Sequence, residues 1–399
     1  MAGAAALLVA AGCADPGHPI PARPDLAALD LGPFASEPQT APRNDNPDYG
    51  RVLESIRMGE AVIDPVEADA TLRFGLGTIA SVPIPVPEKA GFLAQPVRAV
   101  LKRHGMLAGF SVGGMDQQMD STVAVGRARL LTVLLLRFPD QGAAERAAAD
   151  IDAVDKAVSP DNVAVPIPEH TGAQSHWRPA VPTLAATMAD GPFVISVLAG
   201  ATSPDLATLT GLARAAFTAQ VARLRGFTPT PEAQLATLPL DAEGLLGRVL
   251  PEAPGVWPAP TVLARAGDEN AGWRSSFQVS GVVYGPRAAH RVSRKDSTDI
   301  RMALNGSHAV RRYPDAVTAR KDYTESAAEE ATDPELRAAP PPAGLPDVIC
   351  YEGQIAVVNS LKFGCRLLAG RYGAILYGRS LRLVHQKAAA QYALLLRDE

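Results

Sequence analysis

"LLTVLLLRFPDQGAAERAAADI" at residues 130–151 and "ALNGSHAVRRYPDAVTARKDYTES" at 303–326 decide the fold, because the second echoes the first. Each opens on a strand-like run, closes it on a basic residue, an aromatic, a proline and an aspartate, and continues into an alanine-rich amphipathic stretch. The shared core is Arg137-Phe138-Pro139-Asp140 against Arg312-Tyr313-Pro314-Asp315. Proline offers no N–H to a strand ladder and so ends it. Aspartate just ahead of a helix accepts from the free N–H groups of the first turn. The quartet predicts strand, turn and capped helix, and capping accounts for it without a functional role.

The echo extends outward. "ATMADGPFVISVLAG" (186–200) matches "RLLAGRYGAILYG" (366–378) as a hairpin with Gly191 or Gly370 at the turn. Each hairpin runs into a closing helix, at 205–226 and 383–398. Each half therefore reads strand–helix–strand–strand–helix, with pieces such as the helix-like "PVRAVLKRHGM" (96–106) added. The expected fold is α+β: two related domains, each a mostly antiparallel sheet with helices packed on one face. The proline-punctuated "TPTPEAQLATLPLDAEG" (228–244) marks the boundary, giving domains over 51–235 and 236–399.

Composition narrows the function. The chain has 399 residues, 47 % hydrophobic and 20 % charged, with a net charge of −4. That balance gives no global pull toward nucleic acid, and aromatics at 5 % make base-stacking platforms improbable. The greasiest internal segment, "ARLLTVLLLRF" (128–138), is strand-length, well short of the roughly 18–20 residues a membrane span requires. Neither G-x-x-x-x-G-K-[ST] nor a G-x-G-x-x-G after a strand occurs, so no nucleotide or other cofactor is expected.

The first residues have another character. Ala2 to Gly12 are eleven apolar or small residues, the length of a signal-peptide h-region. "VAAGC" then resembles the lipobox of bacterial lipoproteins, in which the cysteine thiol takes a diacylglyceryl group and cleavage falls just before it, here before Cys13. Ala10 stands where leucine is usual, and no basic residue precedes Cys13, which suggests that translation begins upstream of Met1. Residues 1–13 read as signal peptide, and 14–50, with eight prolines, as a tether. Lipid on Cys13 leaves Cys350 and Cys365, fifteen positions apart, free to pair. A disulfide closing that loop contributes about 3 kcal/mol in the chain-entropy model. Metal binding is the rival, but two cysteines with no nearby histidine make a poor zinc set.

At this point the chain resembles a family of uncharacterised two-domain lipoproteins of actinobacterial cell envelopes. The resemblance rests on the lipobox, "LDLGPFASEP" (29–38), "DYGRVLESIRMGEAVIDPVEADATLRFG" (48–75), "RFPD", "YGPRAAHRV" (284–292) and the cysteine pair with the closing helix. It implies an envelope location and a paired α+β body, and brings no activity.

Several constellations invite chemistry. Gly109-Phe110-Ser111-Val112-Gly113 satisfies G-x-S-x-G, which in α/β-hydrolases sets the serine on a strand-to-helix elbow. Here a helix-like segment precedes it and a polar, glycine-interrupted stretch follows, so a glycine loop is the expectation. Asp140 or Asp150 with His170 or His176 are the available acid and base partners. Asp116 and Asp120 are spaced for one helical face and read as a solvated turn of helix. The histidines are scattered, with no metal-binding spacing, so no metal is expected. Arg287, His290, Arg291, Arg294 and Lys295 form a basic stretch that could meet anionic lipid or acidic envelope polymer, although Asp296 and Asp299 interrupt it. The leading expectation is a lipoprotein held at the outer membrane face by its N-terminal diacylglycerol, non-enzymatic, binding or scaffolding, with the cleft between halves as default site. The runner-up is an envelope serine hydrolase using Ser111.

Overall fold

The computed structural model describes residues 24–76, 81–91, 93–118, 125–264, 277–293, 299–353 and 361–397. Cys13, His18, Asp120, Arg294, Lys295 and Asp296 lie outside them.

The N-terminal half runs α1 (Pro47–Met58), α2 (Pro65–Ala68), β1 (Phe74–Gly75), β2 (Ser81–Pro83), α3 (Val97–Arg103), β3 (Ala108–Met115), β4 (Leu130–Arg137), α4 (Gln141–Lys156), β5 (Val163–Ala164), β6 (Gln174–Trp177), β7 (Thr183–Asp190), β8 (Phe193–Gly200) and α5 (Leu206–Leu224). Its strands form one sheet in the order β1-β3-β4-β8-β7-β6-β5, with β2 also on β3. The C-terminal half runs β9 (Thr261–Ala264), β10 (Phe277–Ser280), β11 (Val282–Tyr284), α6 (Pro286–Ser293), β12 (Arg301–Asn305), β13 (His308–Arg312), α7 (Ala316–Thr332), β14 (Leu336–Ala339), β15 (Val348–Gly353), β16 (Phe363–Ala369), β17 (Tyr372–Gly378) and α8 (Leu381–Leu396). Its main sheet has the order β11-β12-β13-β17-β16-β15-β14, and β9 and β10 pair separately. Every strand pair is antiparallel.

The two orders superpose strand for strand, and so do the registers. Leu136 faces Val194 across β4 and β8 as Arg311 faces Gly373 across β13 and β17. The N–H of Phe138 donates to the Pro192 carbonyl at 2.8 Å, and that of Tyr313 to the Arg371 carbonyl at 2.9 Å. Both hairpins turn on a glycine with positive φ, 55° at Gly191 and 51° at Gly370. The capping expectation holds in both halves. Asp140 accepts from the Ala143 N–H and Asp315 from the Thr318 N–H, each at 2.7 Å.

The α+β class and the antiparallel sheets stand, but the helices cover both faces of each sheet rather than one. The reason is visible in β4, whose eight residues are all buried. Leu131, Val133 and Leu135 meet α5 through Leu209, Leu212, Ala213, Ala216 and Phe217. Leu134 and Leu136 join α3 and α4 through Val100, Leu101, Ala144, Ala147, Ala148 and Ile151 on the opposite side. A strand without polar alternation is a strand covered twice. In the second half α8 and α7 take the corresponding faces of β16 and β17.

The tether expectation needs correction from Pro24 onward. Leu26, Leu31 and Phe34 pack on the core beneath α8, and Gln386 Nε2 donates to the Asp30 carboxylate at 3.0 Å. The Gln39 N–H donates to the Gly247 carbonyl at 3.0 Å, and Asn44 Nδ2 to that of Leu238 at 2.9 Å. Residues 24–46 are a strap along the body.

The halves meet through packed apolar side chains rather than across an open groove at α1. One apolar cluster contains Val52, Ile56 and Met58 of α1 together with Val282, Tyr284, Ala288 and Met302 from the second half. Beside it two arginines of the basic stretch are already paired. Arg291 donates to the carbonyls of Gly59 and Val62 at 2.6 and 2.7 Å and pairs with Asp64. Arg287 pairs with Asp64 at 2.6 Å and with Glu67. The first N–H groups of α6, at Arg287 and Ala288, donate to Glu60 at 3.1 and 3.0 Å. Arg287 and Arg291 clamp one half to the other and are not offered to an anionic surface.

Candidate binding site in the C-terminal half

Since the halves superpose, each residue under α7 has a counterpart under α4. The α4 interface is dry: Leu134, Leu136, Phe138, Ala147, Ile151 and Val194 form one buried apolar cluster. Their counterparts by register and by distance from the Pro-Asp cap are Ala309, Arg311, Tyr313, Asp322, Ser326 and Gly373. Four of the six have become polar and three have lost volume. The result is a small hollow between α7 and the sheet, lined by Arg311, Tyr313, Asp322, Tyr323, Arg366 and Gly373 among others, with about 10 Å³ of space for the centre of a water-sized sphere. That is room for one water.

The hollow is walled by ion pairs. Asp322, 6 % exposed, accepts from the Tyr313 hydroxyl, and one oxygen lies 3.4 Å from an Arg311 nitrogen. Arg366 donates to one oxygen of Glu330 through both Nε and Nη2, at 3.1 and 2.6 Å. The outer side of α7 is fastened by Arg320 to Asp347 at 2.6 Å. Burial draws the Arg366 guanidinium down, but its bonds to Glu330 outweigh this and hold it above its ordinary value. Burial also pushes the Tyr323 phenol up to about 12 and the Tyr313 phenol beyond it, so both stay neutral donors. Two cations and two carboxylates leave the layer without net charge. Three buried atoms, Asp322 Oδ1, Glu330 Oε2 and Arg311 Nε, find no hydrogen-bond partner among the described residues. Leaving such groups unpaired costs about 1–3 kcal/mol each.

The opposite face of β13 shows the same divergence. His308 replaces Val133 and Lys387 replaces Leu212, and Lys387 Nζ donates to His308 Nε2 and to the Tyr377 carbonyl, each at 3.0 Å. Burial, with the Lys387 charge beside it, pushes the His308 imidazole down to about 3. Burial also lowers Lys387, against the pull of Glu252.

The residues chosen from sequence fare unevenly. Ser111 is not in a loop or at an elbow: it sits mid-strand in β3, between Val82 of β2 and Leu134 of β4, fully buried. Its Oγ has no hydrogen-bond partner among the described residues. The glycines around it serve close packing, since a Cβ on Gly113 would fall 2.5 Å from Leu76. Asp116 directly follows β3 and accepts from the Arg129 N–H at 3.2 Å, so it belongs to a hairpin and not to a helix. Asp150 pairs with His104 at 2.7 Å. His176 lies between Asp152 at 2.8 Å and Asp155 at 3.6 Å, while His170 contacts Thr218. The two histidines of that segment are not brought together, and neither reaches Ser111. Burial raises the Asp155 carboxyl against the pull of His176.

Cys350 and Cys365 face each other across β15 and β16 and are joined as a disulfide, with Cα atoms 4.1 Å apart. The expectation that no histidine is near them is wrong in space. His385, on the first turns of α8, brings a ring nitrogen within 4.8 Å of both sulfurs.

Fold and site together define a two-domain α+β protein in which one architecture occurs twice, dry in the first half and polar in the second. The chain belongs to the family described as domain of unknown function DUF7373, whose N-terminal part matches residues 41–240 and C-terminal part residues 245–398. No curated protein matches the chain. Among solved structures it is similar to the extracellular domain of PknH from Mycobacterium tuberculosis, with 10 % identity and a TM-score of 0.27 over 40 % of this chain and 92 % of that one. A likeness at that level defines no shared site. Among the described residues no helix is long and apolar enough to cross a membrane.

Proposed function

We propose that this chain is a non-enzymatic binding protein of the cell envelope, anchored by a diacylglyceryl group on Cys13 at the outer membrane face. Its C-terminal half receives a small polar ligand of no net charge beneath α7. The observation that carries the reading is the replacement of a dry interface by one with charges in balance and three unpartnered buried polar atoms. A ligand larger than water enters as α7 lifts, and the structure of α7 favours this, because only Ala319, Asp322 and Ser326 of its seventeen residues are buried. The lipobox-like run before Cys13 supports the anchor, and the Cys350–Cys365 disulfide suits an oxidising compartment.

The test is mass spectrometry of protein purified from its own host's membranes. Under denaturing conditions the expected species begins at Cys13, carries the diacylglyceryl mass and gains about two mass units on reduction, as one disulfide requires. Under native conditions a bound small molecule is expected, and Gly373→Val, which restores the side chain of Val194, is expected to abolish it. An unmodified chain retaining residues 1–12 overturns the anchor. A native mass equal to the bare chain, or a ligand unaffected by Gly373→Val, overturns the binding site.

A further inference from the structure

We propose that reduction of the Cys350–Cys365 disulfide creates a three-ligand site for a zinc-like metal ion, with His385 as the third ligand. Three donors meet here from three elements. Cys350 on β15 and Cys365 on β16 are direct cross-strand partners, and His385 reaches them from α8, so that two sulfurs and one ring nitrogen lie within 4.8 Å of one another. Two thiolates and an imidazole, with a fourth position left to water, are the donor set of an open tetrahedral zinc site.

One nitrogen of the imidazole is already held, which leaves Nδ1 as the ligand atom. His385 Nε2 lies 2.8 Å from the Pro340 carbonyl oxygen. A carbonyl only accepts, so the proton sits on Nε2 and the lone pair on Nδ1. Fixing the tautomer of a ligating histidine through its other nitrogen is how metal sites are commonly supported from outside the ligand set. Charge agrees as well. Cys365 is fully buried and Cys350 nearly so, among Leu367, Leu376 and Val384. Two thiolates against a divalent cation leave that apolar environment without net charge, which is the condition for burying the ions there. The half-exposed His385 supplies the way in.

The first half provides an independent comparison. By register and by distance from the helix cap, the positions of Cys350, Cys365 and His385 correspond to Ser175, Ala186 and Thr210. A disulfide alone needs two of the three changes. The third places an imidazole where only a metal ligand set, or a bond to Pro340, uses it.

The chemistry balances with a named reductant. A phosphine transfers two electrons to the disulfide, water supplies two protons to the sulfurs and its oxygen to the phosphine oxide, and two thiols result. Metal binding then releases those two protons. The experiment uses the full chain, oxidised and phosphine-reduced, titrated with cobalt(II) as a coloured stand-in for zinc. The expected outcome is no binding to the oxidised protein. The reduced protein is expected to bind one ion per chain, with a thiolate-to-cobalt charge-transfer band, tetrahedral visible bands and two protons released. His385→Ala, a change at a half-exposed position, is expected to keep the disulfide when oxidised and to lose at least tenfold in affinity when reduced. Reduced wild-type protein without the thiolate band overturns the proposal. So does His385→Ala binding as tightly as wild type, which leaves His385 as a partner of Pro340 only.

Discussion

Helices α4 and α7 start from the same Pro-Asp cap and lie on corresponding strands, yet different forces hold them. Under α4, alanines and leucines interlock, and burying each leucine side chain contributes about 2 kcal/mol. Under α7, Arg311, Asp322, Glu330 and Arg366 form largely buried ion pairs, with only Asp322 fully enclosed. The desolvation of such pairs offsets most of their mutual attraction, so they are a poor source of stability. One copy of the architecture serves as foundation, and the other carries groups whose presence stability does not explain. The proposed site rests on that contrast.

Three experiments break or sharpen the contrast. The largest effect is expected where the echoing arginines differ. Arg137 is buried and paired with Glu54 at 2.6 Å, in a cluster that includes Thr230 and Arg57, whereas Arg312 pairs with Glu243 near the surface. Removing Glu54 by Glu54→Ala strands a buried guanidinium and should cost about 3–5 kcal/mol in urea denaturation. Arg312→Ala should cost no more than about 1 kcal/mol. Equal losses would mean that the quartet plays one role in both halves.

Next comes an exchange between the interfaces. Ala147→Asp puts the C-terminal residue into the dry layer without Arg311 or Tyr313 to receive it, and should cost about 3 kcal/mol or more. The reverse, Asp322→Ala, leaves Tyr313 and Arg311 unsatisfied and should cost about 1–3 kcal/mol. Ala147→Asp tolerated as well as Asp322→Ala would erase the distinction between a dry and a wet face.

The third test is pH. His308 has a folded value far below its ordinary one, so the unfolded state takes up the proton first. Its contribution is fully present above about pH 6.5 and is lost as pH falls toward the folded value near 3. The groups facing it are Lys387, and Glu252 through Lys387. Between pH 6.5 and 5 the loss should be about 2 kcal/mol, at about 1.4 kcal/mol per pH unit. His308→Val, which restores Val133, should flatten the slope in that window. An unchanged slope would assign it elsewhere.

Much of the scaffold was legible. The Arg-aromatic-Pro-Asp quartets, the hairpin glycines and the closing helices are local signals, and each appears where its chemistry puts it. The second layer of helices was hidden, because an apolar run such as Leu130–Leu136 announces burial without saying from how many sides. The polar layer was legible only by comparing the halves position by position: Leu136 with Arg311, Ala147 with Asp322, Ile151 with Ser326. Read singly, Asp322 in an alanine-rich helix looks like a solvated residue. Ser111 misled because G-x-S-x-G describes spacing, while buried β-strands use glycine for a different reason, the close approach of neighbours such as Leu76. His385 lies twenty positions beyond Cys365, and only the packing of α8 on β16 brings the two together.

The strap from Pro24 to Asn46 sets a length. Eleven peptide units separate Cys13 from Pro24, where the strap begins. At about 3.5 Å each, they reach no more than about 40 Å. A chain free through residue 50 would reach about 130 Å by the same measure. On the proposed anchor the protein is therefore short-leashed. On that anchor Pro24 lies no more than about 40 Å from the lipid, about a third of the reach that a free tether would allow.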